Sequence, residues 1–187
     1  MVSIEKIMQI ARQTAKTAAR ISGIEKIGYT LNVTDDPSVP TDGVIDIQER
    51  SITINMAKLP EFAEAFGTGD EDTAVTLEVV RVTAFGVRHL YQTREVCRYL
   101  VNQRVGENAL PLMESSETCR TWLRELEEEE QDENSSALLD ADAFANYIME
   151  RLGLIKFWDD NTSEETKKLR EQVAAMRKRY DHLPVGD

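Results

Sequence analysis

The chain has 187 residues, with 34 acidic against 22 basic side chains, a formal net charge of −12 and a pI near 4.7. Such a charge supplies no field for drawing in phosphate backbones or an anionic leaflet, which argues against nucleic-acid and membrane partners. No window offers the roughly 20 consecutive apolar residues a membrane span needs, and the length suits one domain with a sizeable core, the default, or one domain plus a helical extension.

The segment from Ser3 to Ile21 carries Lys6, Arg12, Lys16 and Arg20 among short apolar steps, so it lacks the continuous apolar stretch of a signal peptide. Its apolar positions Ile4, Ile7, Met8, Ala11, Ala15 and Ala18 recur at helical spacing, and Gly23 is placed to end the helix. From Gly28 to Thr34 the residues Tyr29, Leu31 and Val33 alternate with Thr30, Asn32 and Thr34, as in a strand with one buried face. A loop over Asp35 to Gly43 follows. Ile45 and Ile47, then Ile52, Ile54 and Met56, give two further alternations that read as a hairpin. A helical pattern covers Leu59 to Phe66 and breaks at Gly67 to Gly69.

Asp70 to Asp72 load the start of the next helix with negative charge, where the macrodipole favours it. Val75, Val79, Val80, Val82, Val87 and Leu90 then run for several turns, and the helix is expected to continue through Cys97, Leu100 and Val101 before Gly106 and Pro111 stop it. Ser115 and Ser116 precede another helix with Cys119, Trp122, Leu123 and Leu126 on one face. Glu125, Glu127 to Glu130, Asp132 and Glu133 have no apolar partners and read as a solvated end or loop, available to pair with the basic last helix within the chain or in a second copy. Ser135 or Ser136 would cap a helix burying Leu138, Ala141, Ala145, Ile148 and Leu152 and ending at Gly153. The last helix, Glu164 to Asp181, is strongly basic and offers Leu169, Val173 and Met176 as its docking stripe. The expected fold class is therefore α+β: an N-terminal helix, a small three-stranded sheet, a mostly helical core and a C-terminal helix. Cys97 and Cys119 lack metal-type spacing and read as small buried or half-buried thiols, which points to a reducing, cytoplasmic setting.

The stretch Thr83 to Gln92, TAFGVRHLYQ, carries the most chemical information. An HExxH helix holds Zn²⁺ on two histidines one turn apart, with a glutamate beside the first as general base. Here those positions read Phe85, Gly86 and His89, so only the second histidine is present. The order of elements and three phrases, ITIN (Ile52 to Asn55), VRHLYQ (Val87 to Gln92) and DADAFA (Asp140 to Ala145), resemble zincin-like metallopeptidases of the ImmA/IrrE kind over about residues 27 to 152. The resemblance implies a zincin-like domain over residues 1–155 with a helical extension over 156–187. It also implies His89 at the second zinc-histidine position, Phe85 at the first, Gly86 at the catalytic glutamate, and Asp140 or Asp142 at the acidic third ligand. Leu138 stands where relatives are often acidic.

A catalytic zinc site needs three good ligands and an open position, and one histidine with one carboxylate does not supply them. Catalytic and metal residues are accordingly expected to be absent, with no cofactor. The expected function is that of an inactive zincin-like binding or regulatory module, with a remnant cleft around Phe85, Gly86, His89, Tyr91, Asp140 and Asp142 facing an unidentified protein or peptide. A homo-oligomer is compatible with the charge pattern. The other reading is a metal-dependent hydrolase with a non-standard ligand set built on His89 and Asp140. On the residues alone, His89 also reads as an ordinary hydrogen-bonded helix histidine, and Asp140 and Asp142 as acids favoured early in a helix. No phosphate-binding loop, GxSxG elbow or CxxC pair occurs, and a cysteine nucleophile would have only His89 as its base.

Overall fold

The computed structural model describes residues 2–106, 109–127, 135–155 and 164–185. The chain runs α1 (Ile4–Ser22), β1 (Thr30–Thr34), β2 (Gly43–Asp46), β3 (Ser51–Asn55), α2 (Leu59–Ala63) with a 3₁₀ turn over Glu64–Phe66, α3 (Glu71–Val105), α4 (Ser116–Glu127), α5 (Ser136–Arg151) and α6 (Glu164–Tyr180). This is the expected α+β architecture. Among the described residues no helix is long and apolar enough to cross a membrane.

Local chemistry sets the ends of these elements. Ser3 accepts from the Lys6 amide to cap α1, and Gly23 closes it in the left-handed region at φ 67°. Asp70 caps α3 through the Thr73 amide at 2.9 Å, and Ser135, not Ser136, caps α5 through Leu138. The sheet order is β1-β3-β2, with β3 parallel to β1 and antiparallel to β2. The β2–β3 hairpin is as expected. β3 ends at Asn55, which puts Met56 outside the strand, and Ile47 belongs to the turn and is exposed.

Asn55 is fully buried and organises the loop between β1 and β2. Its Nδ2 donates to the carbonyls of Asp36 at 2.9 Å, Thr41 at 3.1 Å and Val39 at 3.3 Å, while its Oδ1 accepts from the Asp36 and Ala57 amides. One side chain thus supplies partners that a turn-rich loop cannot find in a ladder.

α3 spans 35 residues, about 50 Å at 1.5 Å per residue, and packs against α1, the sheet, α2, α4 and α5. Val80, Val87 and Leu90 on α3 are buried as expected, with Phe144, Tyr147 and Ile148 of α5 in the same core, and Val79 is buried in a second cluster with Ile54 and Leu59. α6 docks on α5 and adds Val173, Met176 and Tyr180 to that core. Several expectations of burial are corrected. Ile4 is 52% exposed at the first position of α1, although Val2 and Ile7 on either side of it are buried. Leu100 and Val101 are exposed on the distal part of α3, as is Cys97, while Leu138 and Leu152 are half-buried at the margins of α5. Most of the acidic run, and the expected boundary at 155/156 together with the start of the extension over 156–163, lie outside the described residues.

Candidate functional site

The stretch from Phe85 to Gln92 lies at the centre of α3, where the helix is enclosed by the sheet on one side and α5 on another. Gly86 faces β3: a Cβ placed on it would stand 2.9 Å from both Cγ1 and Cδ1 of Ile52. The missing side chain is therefore a packing requirement, since any larger residue would push into a fully buried isoleucine. Phe85 and His89, one turn apart, meet edge to face with ring centroids 4.6 Å apart. His89 is 8% exposed, and its burial lowers its pKa against the opposing pulls of the Gln92 side chain and the Asp140 charge. Its imidazole is neutral at neutral pH.

Asp140 is occupied by donors from α3. Arg88 donates to it from Nε at 2.7 Å and from Nη2 at 2.9 Å, and Gln92 Nε2 donates to the Oδ2 atom at 2.8 Å. The same Gln92 nitrogen donates to the Ala137 carbonyl at 2.8 Å, which fixes the side chain across the α3–α5 contact. Arg88, 1% exposed, also donates to the Tyr180 hydroxyl at 3.1 Å and lies over the rings of Tyr91 and Phe144 at 4.2 and 5.1 Å. A carboxylate saturated by a bidentate guanidinium and an amide has few lone-pair directions left for a metal. Asp140 lies beyond the first turn of α5, so its place is explained by this pairing and not by the helix dipole.

Tyr91 and Asp142 point elsewhere. The Tyr91 hydroxyl donates to Glu114 Oε1 at 2.5 Å and receives Arg179 Nη2 at 3.2 Å, while Arg179 Nη1 donates to the same Glu114 oxygen at 2.6 Å. Burial first, and then the bond to Glu114, raises the Tyr91 pKa, so the hydroxyl keeps its proton. This cluster ties the segment before α4 and the end of α6 to the middle of α3. Asp142 is about half exposed and stands 3.9 Å from Arg81, with burial raising its pKa. The six expected site residues thus divide among a helix–sheet contact, a ring pair, two ion-pair systems and a tyrosine latch.

Four of the six residues expected around the cleft, Gly86, His89, Tyr91 and Asp140, are buried, while Phe85 is half-buried and Asp142 about half exposed. Tyr91 is 1% and Asp140 8% exposed, because Arg88, Gln92 and Tyr180 occupy the space between α3, α5 and α6. Among the described residues no three His, Cys, Asp or Glu side chains come together in an arrangement suited to a metal ion. His182 is exposed near the end of the chain. Cys119 is buried, and burial pushes its thiol up to about 11, which keeps it protonated and unreactive. Compared with known proteins, the chain matches no family model, no curated protein and no solved structure. The zincin-like resemblance rests on its own three phrases and the order of elements.

Proposed function

We propose that this chain is a zincin-like protein without peptidase chemistry that works as a binding or regulatory module for a protein or peptide partner. The observation that supports this most strongly is the state of Asp140, the acid nearest to a ligand role, which takes three donors from Arg88 and Gln92. Gly86 adds to it: the position of a general base is closed by Ile52. A hydrolytic metal centre needs free ligands, an open coordination position and a general base, and the bonds on Asp140 and the Gly86–Ile52 contact speak against a ligand and a base at these two positions.

Metal analysis of the purified native protein by plasma mass spectrometry, followed by calorimetric zinc titration, tests the first half of the proposal. The expected result is no stoichiometric zinc and no site of micromolar affinity. Near-stoichiometric zinc bound through His89 would overturn it in favour of a hydrolase with an unusual ligand set. Phe85→His tests the zincin-like half: an imidazole one turn before His89 recreates the two-histidine spacing, so zinc affinity should appear in this variant. A folded Phe85→His protein with no zinc affinity would count against the resemblance while leaving the absence of peptidase chemistry intact.

A further inference from the structure

Helix α6 rests on α5 with little apolar contact. From Lys167 to Tyr180 only Val173, Met176 and Tyr180 are buried, and the other side chains are half-buried or exposed. Ion pairs do much of the holding. Arg177 donates to both oxygens of Glu150, from Nε at 2.8 Å and from Nη2 at 2.9 Å, and Arg179 donates to Glu114 at 2.6 Å. Just past the helix, Asp181 accepts from Arg151 of α5 at 3.2 Å. Each of these pairs has one member at least 34% exposed, so salt weakens them far more than it weakens the shielded Arg88–Asp140 pair. Segments with few buried apolar contacts are the first parts of a fold to open.

What α6 covers is aromatic, with carboxylates beside it. The Tyr180 ring meets Phe144 edge to face at 6.3 Å and lies tilted against Tyr147 at 6.0 Å, and both of these α5 residues are fully buried. Its hydroxyl accepts from Arg88 at 3.1 Å. Without α6, Phe144 and Tyr147 would lose a ring that shields them. Glu150 would lose Arg177, and Glu114 would keep the Tyr91 hydroxyl and Arg88, whose Nη2 is 3.6 Å away. The groove is therefore matched by a helix bearing an aromatic ring, two cations close to it, and apolar side chains one and two turns earlier. Tyr180, Arg177, Arg179, Met176 and Val173 present this arrangement in α6 itself.

We propose that α6 is a strap over a recognition groove, and that the groove receives a basic amphipathic helix of a partner protein with an aromatic anchor and two arginines in the α6 arrangement. The inference rests on the reading of the chain as a binding module and gives that module a place and a partner chemistry. An acidic helix would set like charge against Glu114 and Glu150, and an uncharged apolar helix would cover both carboxylates without a counter-charge. The chain's own α6 competes for the same contacts. The partner's apparent affinity is thus set by the fraction of molecules in which the strap is open.

The test uses the full-length protein. In hydrogen exchange, amides of residues 167–180 should exchange at least about tenfold faster than those at the centres of α3 and α5, and raising NaCl from ~0.05 to ~0.5 M should widen that gap. A fluorescein-labelled peptide of residues 164–183 serves as the probe helix. It should bind the Arg177→Glu, Arg179→Glu full-length variant about tenfold more tightly than the native chain, because the variant's own strap is released while Phe144, Tyr147, Glu114 and Glu150 are unchanged. Both arginines are at least 34% exposed, so the core is left in place, and Glu150→Lys added to this variant should remove the gain. Exchange of α6 in step with α3 and α5, equal peptide affinities for native and variant chains, or equal binding of a peptide carrying Arg177→Glu and Arg179→Glu would each overturn the proposal. A concentration-dependent dimer of the native chain in light scattering, dissociated by the peptide, would give the groove to the α6 of a second copy and overturn the assignment to a partner protein. None of these outcomes alters the zinc measurements, so failure of the strap and failure of the reading without peptidase chemistry are told apart.

Discussion

Arg88 of α3 and Asp140 of α5, 52 positions apart, form a two-bonded ion pair at 2.7 and 2.9 Å in which both partners are almost entirely shielded from water. The pair is the polar counterpart of the aliphatic contact between the same two helices. Removing Asp140 would leave the buried Arg88 with only Glu114, 3.6 Å from its Nη2, as a counter-charge, without the two short bonds. Asp140→Ala should therefore cost about 3–5 kcal/mol in urea unfolding, while the double variant Arg88→Met with Asp140→Leu should cost clearly less than the two single changes added together. Asp142→Ala, two residues on, should cost under about 1 kcal/mol.

Gly86 gives a prediction about packing. Alanine would gain about 1 kcal/mol of helix propensity over glycine, but its methyl would stand 2.9 Å from two atoms of Ile52. Overpacking of this kind costs about 1–3 kcal/mol, so Gly86→Ala should lower stability by about 1 kcal/mol net. Adding Ile52→Val should recover that loss. Recovery absent from a thermal or urea melt would mean that the contact is not what limits position 86.

Glu78 gives a prediction about pH. Burial, and the neighbouring Asp42 carboxyl, raise its pKa in the folded protein against the pull of Arg81, so the folded state holds the proton more tightly than the unfolded chain does. The resulting contribution to stability is complete below the ordinary carboxyl range near 4.5 and fades until pH reaches about 7. The unfolding free energy of Glu78→Gln minus that of the native chain should thus increase by about 2–3 kcal/mol between pH ~4 and ~8, measured as a difference so that groups away from the Asp42–Glu78–Arg81 cluster cancel. A flat difference would place the Glu78 pKa back in the ordinary range.

Asn55 gives a prediction about a loop. Aspartate has the same shape but no N–H to offer the carbonyls of Asp36, Val39 and Thr41. Asn55→Asp should cost at least about 2 kcal/mol, and hydrogen exchange should accelerate across residues 36 to 41 before it does in the helices.

Much of the fold was legible because its signals are local. Ser3, Gly23 and Asp70 announce helix ends by short-range bonds, and Leu31, Val33, Ile52 and Ile54 mark strands by alternation. The parallel pairing of β1 with β3 was not legible, since alternation tells which face is buried but not which neighbour is adjacent. The site was less legible still. Phe85 and Gly86 could be recognised as departures from a motif, yet Ile52, which explains the glycine, lies 34 positions earlier on another element. Arg88 and Gln92 were present in the VRHLYQ phrase, but nothing in the spacing of Arg88, Glu114, Asp140, Arg179 and Tyr180 announces that they meet. Buried polar networks are assembled by tertiary geometry, and periodicity carries no record of them.

The sheet order has a consequence for how the molecule assembles. β2 and β3 are joined by the four residues Ile47 to Arg50, so their hairpin closes a short circuit and can zip early, on a scale of about microseconds. β1 must instead wait until β3 has a mate on its other edge, or accept the larger entropy loss of joining across the whole intervening loop and hairpin. Pairing of β1 ties the chain leaving α1 to the central strand, and its closure costs more chain entropy than that of the hairpin.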